Sequence, residues 1–329
     1  MPPVGSSLTI TARHESWALR EAFVISRGAK IAADVVVVEI SDGLHVGRGE
    51  AVPYGRYGET VESVLGEIQS SVKCIASHAE LTRHLKPGAA MNALDCAFWD
   101  LESKRTNIPV WQQAGLPRPI RKITAFTLSL DAPETMAAKA TAVPHLSLLK
   151  LKLGGDGDES RMRAVRRARP DAQLIVDANE AWTPETIAGL MDVAAQCGIT
   201  LIEQPLPANQ DGILSTLPHP VPICADESVH TADDIQSLLG LYDAINVKLD
   251  KTGGLTGALQ LVTEARKREL KIMIGSMVAT SLAVAPAMLL APYAEWIDLD
   301  GPLLLARDRE YGLRIEDGVV DPPDRALWG

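Results

Sequence analysis

From Ile123 to Leu299 the chain repeats one unit. A short apolar stretch, then a segment of helical pattern, recurs roughly every 25 residues. The stretches are Ile123–Leu130, Leu148–Leu153, Leu174–Asp177, Thr200–Glu203, Ile223–Asp226, Ala244–Lys248, Lys271–Gly275 and Glu295–Leu299. Few topologies satisfy such a pattern. A strand, a crossover helix and a parallel neighbour form a right-handed unit, and eight such units in succession close into a barrel. The tight spacing predicts a barrel smaller than the typical example. Thr183-Pro184-Glu185 and Thr231-Ala232-Asp233-Asp234 read as helix starts, with a capping residue ahead of proline or acidic residues. In a parallel barrel the strand ends converge on one face, where active sites of this fold lie.

Those ends are charged. Leu148-Leu149-Lys150-Leu151-Lys152-Leu153 alternates with period two, so Lys150 and Lys152 leave one face of a strand and the leucines the other. Lysines facing inward need carboxylates, a ligand or water opposite them. The next strands end in Asp177, Glu203 and Asp226, the sixth in Lys248, the seventh runs into Ser276, and the eighth ends in Asp298 and Asp300. Three carboxylates from successive strands form a hard oxygen donor set that favours Mg²⁺ over zinc or copper. Strands two and six of eight stand nearly opposite, so Lys152 and Lys248 can approach a central ligand from two sides. Two opposed bases and a Lewis acid suit abstraction of a proton from carbon next to a carboxylate. Lys150 beside Lys152 is expected to lower its neighbour's pKa by like-charge repulsion.

The region before the repeat differs. Residues from Ser7 to Ile40 read as β structure, with Ala33–Ile40 the clearest strand. Arg27-Gly28-Ala29-Lys30 and Pro53-Tyr54-Gly55-Arg56-Tyr57-Gly58 read as loops. Helical patterns cover Glu62–Ala76 and Met91–Arg105, the second with Leu94, Ala97, Phe98 and Leu101 as an apolar stripe. After the repeat, Tyr311 to Val320 reads as a hairpin expected to pack back on the N-terminal region. The net charge of −10 disfavours nonspecific binding to nucleic acid or anionic membranes. The four cysteines are scattered, which predicts reduced thiols rather than a disulfide framework. No basic-then-apolar leader and no membrane-length apolar run is seen, so a soluble cytoplasmic protein is expected.

At these residues the chain resembles the enolase superfamily, muconate-lactonizing subgroup, and within it the dipeptide epimerases acting on L-Ala-D/L-Glu. Lys150-Leu151-Lys152 matches the family's KxK motif, and Lys248 its opposing lysine. Asp177, Glu203 and Asp226 match its metal ligands, and the helix Asn92–Asp100 its cap. The resemblance implies an α/β fold: a modified (β/α)7β TIM barrel (residues 119–302) with an α+β capping domain formed by residues 1–118 and the C-terminal tail, 303–329. It implies Mg²⁺, with Mn²⁺ as substitute, and two-base 1,1-proton transfer at the glutamyl Cα through an enolate, in peptidoglycan recycling. Lys152 and Lys248 would be the bases and Lys150 a carboxylate-binding residue. Asp298 and Asp300 resemble the DxD pair that receives a dipeptide's ammonium. Arg27 would meet the glutamyl side chain, with Lys30 and Arg56 as alternatives, and Thr127 and Ser276 would line the site. The partner implied is a small dipeptide, and a homo-oligomer is compatible with it. Other subgroup activities stay open: o-succinylbenzoate synthesis, N-acylamino acid racemization or cycloisomerization. So does a catalytically silent barrel used as a scaffold.

Overall fold

The computed structural model describes residues 8–329; Ser7, where the first β stretch was expected to begin, lies outside them. The N-terminal region opens with an antiparallel sheet of β1 (Thr9–Ile25), β2 (Gly28–Ser41) and β3 (Val46–Ala51). Two longer helices follow, α1 (Val61–Ser71) and α2 (Ala89–Thr106), with single helical turns at Leu81–His84 and Val110–Gln113. The valine run in β2 is buried on both faces. Val35 and Val37 join the core continuous with the barrel, while Val36, Val38 and Ile40 pack with α1 and α2. A strand covered on both sides reads as an unbroken apolar run. Helix α2 lies directly on β3, because Gly47 and Gly49 carry no side chain there. A Cβ on Gly49 would sit 2.0 Å from the Ala93 carbonyl oxygen. Squeezed between sheet and barrel, α2 buries 13 of its 18 residues, polar ones included, so its core face is wider than the predicted stripe.

The predicted first strand is split in two. Lys122–Ile123 (β4) pairs outside the barrel, and only Phe126–Leu128 (β5) joins the barrel sheet. Between them Thr124 donates its N–H to the Gly318 carbonyl and accepts the Leu299 N–H on its hydroxyl, which turns the chain. The sheet continues in sequence order. Helix α3 (Pro133–Thr141) leads to β6 (Leu148–Lys152), α4 (Asp158–Ala168) to β7 (Gln173–Asp177), and α5 (Ile187–Gln196) to β8 (Ile199–Glu203). Then come β9 (Ile223–Ala225), β10 (Ala244–Val247), α6 (Leu255–Lys267), β11 (Lys271–Gly275) and β12 (Trp296–Asp298). All eight strands are parallel, and the Ala125 N–H closes the ring on the Ile297 carbonyl at 2.8 Å.

Two outer segments read as helical are largely 3₁₀, Gly212–Thr216 and, after the α-helical turn Ser281–Val284, Pro286–Tyr293, in stretches that contain proline. Helix α5 starts at Ile187, later than Thr183-Pro184-Glu185 suggested, whereas Thr231 and Asp234 form the expected capping box. The C-terminal hairpin, β13 (Ile315–Glu316) and β14 (Val319–Val320), pairs with β4 rather than with the N-terminal region. Contact with that region comes from both sides of the hairpin, where Leu305 bridges Leu19 and Arg309 pairs with Glu15 and Glu50 before it, and the last residues follow after it. The Trp328 indole donates to the Cys96 carbonyl and the Gly329 N–H to Asp100, both on α2. No helix among the described residues is long and apolar enough to cross a membrane.

Candidate active site

The barrel interior is layered with the period of its strands. Its floor takes one residue from each strand region: Ala125, Leu148, Ile175, Leu201, Cys224, Ala244, Met273 and Trp296. Two residues further along each strand, side chains point inward again. That second layer contains Thr127, Lys150, Asp177, Glu203, Asp226, Asn246 and Asp298, with Gly275 as the eighth position. Gly275 makes room for Asn246, whose amide oxygen would lie 2.6 Å from an added Cβ. A third step reaches the mouth, where Lys152, Asn179, Lys248 and Asp300 stand. Apolar floor, charged layer and open mouth thus follow from strand geometry.

The second layer is nearly dry, and its charges pair. Lys150 Nζ lies 2.6 Å from Asp298 Oδ2, 2.6 Å from Glu203 Oε2 and 3.1 Å from Asp177 Oδ2. Lys152 meets Asp177 Oδ2 at 2.6 Å, and Lys248 meets Asp226 Oδ2 at 2.7 Å. The other oxygen of each acid is held by the scaffold. Asp177 Oδ1 accepts the Asn179 N–H, Glu203 Oε1 accepts from the Asn246 amide, and Asp226 Oδ1 accepts from Lys251. Each acid therefore turns one oxygen to the centre, and there it meets a lysine.

Burial opposes charge on all these groups, and the neighbours decide the outcome. Burial raises Asp177, but Lys152 and Lys150 more than reverse it and hold it below the usual carboxylate range. Asp226 is held well below that range too, because Lys248 and Lys251 overcome the same burial. Burial lowers Lys150 and Lys248, yet their carboxylate partners, Asp298 foremost for Lys150 and Asp226 for Lys248, keep both well above the ordinary lysine value. Three carboxylates surround the charge of Lys150. Two acids lack enough positive charge. Burial and Asp177 push Glu203 up to about 7, and burial and Asp298 push Asp300 up to about 7.

Among the described residues no three carboxylate, imidazole or thiolate groups are arranged to hold a metal, because ammonium groups stand between the acids. The donor set nevertheless fits a hard divalent cation. Asp177 Oδ2 and Glu203 Oε2 both approach Lys150, Asp226 Oδ2 meets Lys248, and Glu203 Oε2 is buried without a hydrogen-bond partner, its approach to Lys150 being poorly angled for one.

Above this layer lies a cavity of about 310 Å³ between barrel mouth and N-terminal loops. Lys152, Lys248, Thr127, Ser276, Asp298 and Asp300 all border it. Asp300 does not cap the following turn. Its Oδ2 accepts the Thr127 N–H at 2.6 Å. Of the three loop cations, Arg27 is bound to Glu227 at 2.7 Å and to Glu180 at 3.2 Å, and Arg56 grips Glu180 with two N–H groups. Lys30 makes no ion pair among the described residues and lies 5.3 Å above the Tyr54 ring. Phe23, from the end of β1, faces Lys152 at 5.8 Å.

Sequence reasoning passed over Asn246, Lys251, Asn179, Glu180 and Glu227. Asn246 had a signal, being two residues before Lys248 on one strand face. Glu227 directly follows Asp226, and nothing in the sequence marks it as the partner of a distant arginine.

The model of the mandelate racemase/muconate lactonizing enzyme N-terminal domain matches residues 7–115, and that of the enolase C-terminal domain-like fold matches residues 135–326. The chain is 44% identical over 317 residues to the L-Ala-D/L-Glu epimerase of Escherichia coli (strain K12), covering 95% of this chain and 99% of that protein. It is 42% identical over 301 residues to the N-acetyl-D-glutamate racemase of a Pseudoalteromonas species, covering 90% and 95%. An enolase family member from Agrobacterium tumefaciens, described as homologous to dipeptide epimerases and solved with sodium and L-Ala-L-Glu, superimposes with a TM-score of 0.95 at 48% identity, covering 98% of this chain and 100% of that one. A dipeptide epimerase from Enterococcus faecalis, complexed with Mg and L-Leu-L-Tyr, gives a TM-score of 0.89 at 29% identity, covering 97% and 98%. Matched by both domain models over most of its length, the chain belongs to the mandelate racemase/muconate lactonizing enzyme family, within the enolase fold.

Proposed function

We propose that the protein epimerizes L-Ala-D-Glu and L-Ala-L-Glu at the glutamyl Cα by two-base proton transfer. The observation that carries the dipeptide reading is the Asp298–Asp300 pair on the cavity wall. Lys150 occupies one oxygen of Asp298, and Asp300 is buried with a raised pKa and makes no ion pair among the described residues. A substrate ammonium supplies that charge through charge-assisted hydrogen bonds. An N-acyl amino acid brings none.

The substrate lies across the mouth, its ammonium at Asp298 and Asp300 and its C-terminal carboxylate over Asp177, Glu203 and Asp226. Its Cα then falls between Lys152 on the strand-two side and Lys248 on the strand-six side. One lysine takes the α-proton, the enolate forms, and the opposite lysine returns a proton to the other face. Asp177, Glu203 and Asp226 would hold Mg²⁺, with Mn²⁺ as substitute, which would act as a Lewis acid on the substrate carboxylate. Lys150 stays a fixed cation against the developing charge. The N-terminal loops close the cavity and exclude water, with Arg27, Arg56 and Lys30 on the side where a glutamyl carboxylate would lie. Such a dipeptide is a fragment of peptidoglycan, which points to recycling in the cytoplasm.

The 42% identity to an N-acetyl-D-glutamate racemase favours a second reading, racemization of N-acylated glutamate by the same lysines. Proton NMR in D₂O separates the two. Exchange of the glutamyl α-proton in L-Ala-L-Glu, with N-acetylglutamate exchanging at least 100-fold more slowly, supports the epimerase. Preference for N-acetylglutamate would replace it with the racemase.

A further inference from the structure

Lys251 is fully buried, and the reaction above gives it no part. Its Nζ donates to the Asp226 backbone carbonyl at 2.6 Å, to Asp226 Oδ1 at 2.6 Å and to the Asn246 carbonyl at 3.0 Å. An ammonium has three N–H groups, and all three are used. Lys251 has no lone pair to offer as a base and no N–H left for substrate. What it does is grip one acid at two points, side chain and backbone, and tie that acid to β10.

The consequence lies at Asp226. With Oδ1 held by Lys251, only Oδ2 faces the barrel centre, where Lys248 meets it. The same grip fixes the backbone of Asn246, whose amide holds Glu203 Oε1 at 2.7 Å. One buried side chain thus orients two of the three carboxylates.

We propose that Lys251 is a positioning residue that makes Asp226 a one-oxygen ligand, offering Oδ2 alone to a divalent cation. The inference rests on the metal reading above. It also makes a prediction opposite in sign to simple electrostatics. Lys251 and a bound cation repel, so if Lys251 were only a counter-charge, its removal would tighten metal binding. If it positions Asp226, removal frees Oδ1 to swing inward, disorders the ligand set and weakens binding. Loss of an outer partner of a metal ligand typically costs 10- to 100-fold in affinity.

The test is isothermal titration of Mg²⁺ into full-length, EDTA-treated wild-type protein and into Lys251→Met and Lys251→Gln. Lys251→Met is expected to bind Mg²⁺ about 10- to 100-fold more weakly, and Lys251→Gln, which keeps two N–H donors, to fall between it and wild type. The Mn²⁺ paramagnetic resonance line shape should change in Lys251→Met, reporting the altered carboxylate. Equal or tighter Mg²⁺ binding by folded Lys251→Met overturns the proposal. Should Lys251→Met not fold, equal or tighter binding by Lys251→Gln overturns it instead. Wild-type protein that binds no Mg²⁺ refutes the metal reading itself, a failure visible before any substitution is compared.

Discussion

Asp250 offers a measurement that needs no substrate. Its carboxylate is buried where α2 and the N-terminal loops meet the barrel. Oδ1 accepts the Val52 N–H at 2.9 Å and the Asn92 amide at 2.8 Å. Burial pushes its pKa from the ordinary 3.8 up to about 7, with Glu59 and Glu50 adding to the effect and the two hydrogen bonds opposing it. The native state therefore keeps a proton that the unfolded chain has already released. Stability from this group is fully present below the unfolded pKa and is lost as pH rises through the folded one. The pKa difference sets a ceiling of about 4 kcal/mol on the loss above pH 7. Asp250→Asn keeps the shape and the accepting oxygen, and it cannot ionise. Relative to wild type, the variant should gain stability from about pH 4 to about pH 7 and level off above it, by at least about 1 kcal/mol in total once relaxation around the polar cavity it borders is allowed for. Urea unfolding followed by circular dichroism at several pH values measures the difference. A wild-type-to-variant gap that stays constant with pH, or shrinks as pH rises, refutes the argument.

The lysines make a stereochemical prediction. Lys152→Ala and Lys248→Ala should each lower epimerization by about 10³-fold or more while still exchanging the α-proton of one epimer, a different one in each variant, read by NMR in D₂O. Loss of all exchange in both would indicate a single base. EDTA should abolish turnover and added Mg²⁺ restore it, whereas Glu203→Gln should resist restoration; full activity in either case removes the metal from the mechanism. Gly49→Ala places a methyl group against the Ala93 carbonyl and should cost about 3 kcal/mol or more, seen as a lower Tm. An unchanged Tm would mean that α2 can move off the sheet.

How much of this was legible in the sequence depended on whether a signal lay along one strand or between elements. The eight strands carried their own alternation, and the acids and lysines at their ends stood out. The split at Thr124 was hidden because its cause lies at Gly318 and Leu299, far along the chain. The breadth of the α2 core face was hidden too, since Asn92, Asp95 and Asp100, polar in sequence, are buried with the stripe between two layers. Lys251 reads in sequence as a basic residue at the end of a helical turn, an ordinary solvated position. Its burial follows from the turn after β10 folding back over Asp226, which no local pattern encodes.

The two lysines of strand two show what depth adds to pattern. In sequence they are equivalent, two residues apart on one face. In the barrel that spacing is one layer. Lys150 lies in the charged layer directly above the apolar floor, within ion-pair distance of three carboxylates. Lys152 stands at the mouth, with Asp177 as its one carboxylate partner among the described residues and Phe23 across from it. A group surrounded by acids stays charged and still, which suits a fixed cation near a developing enolate. A group at the edge of a cavity stands within reach of a substrate carbon. Under the proposed reaction the division between fixed charge and base therefore follows from a single step in strand register. Had the floor ended one residue earlier on this strand, both side chains would point into the barrel wall and neither role could be filled.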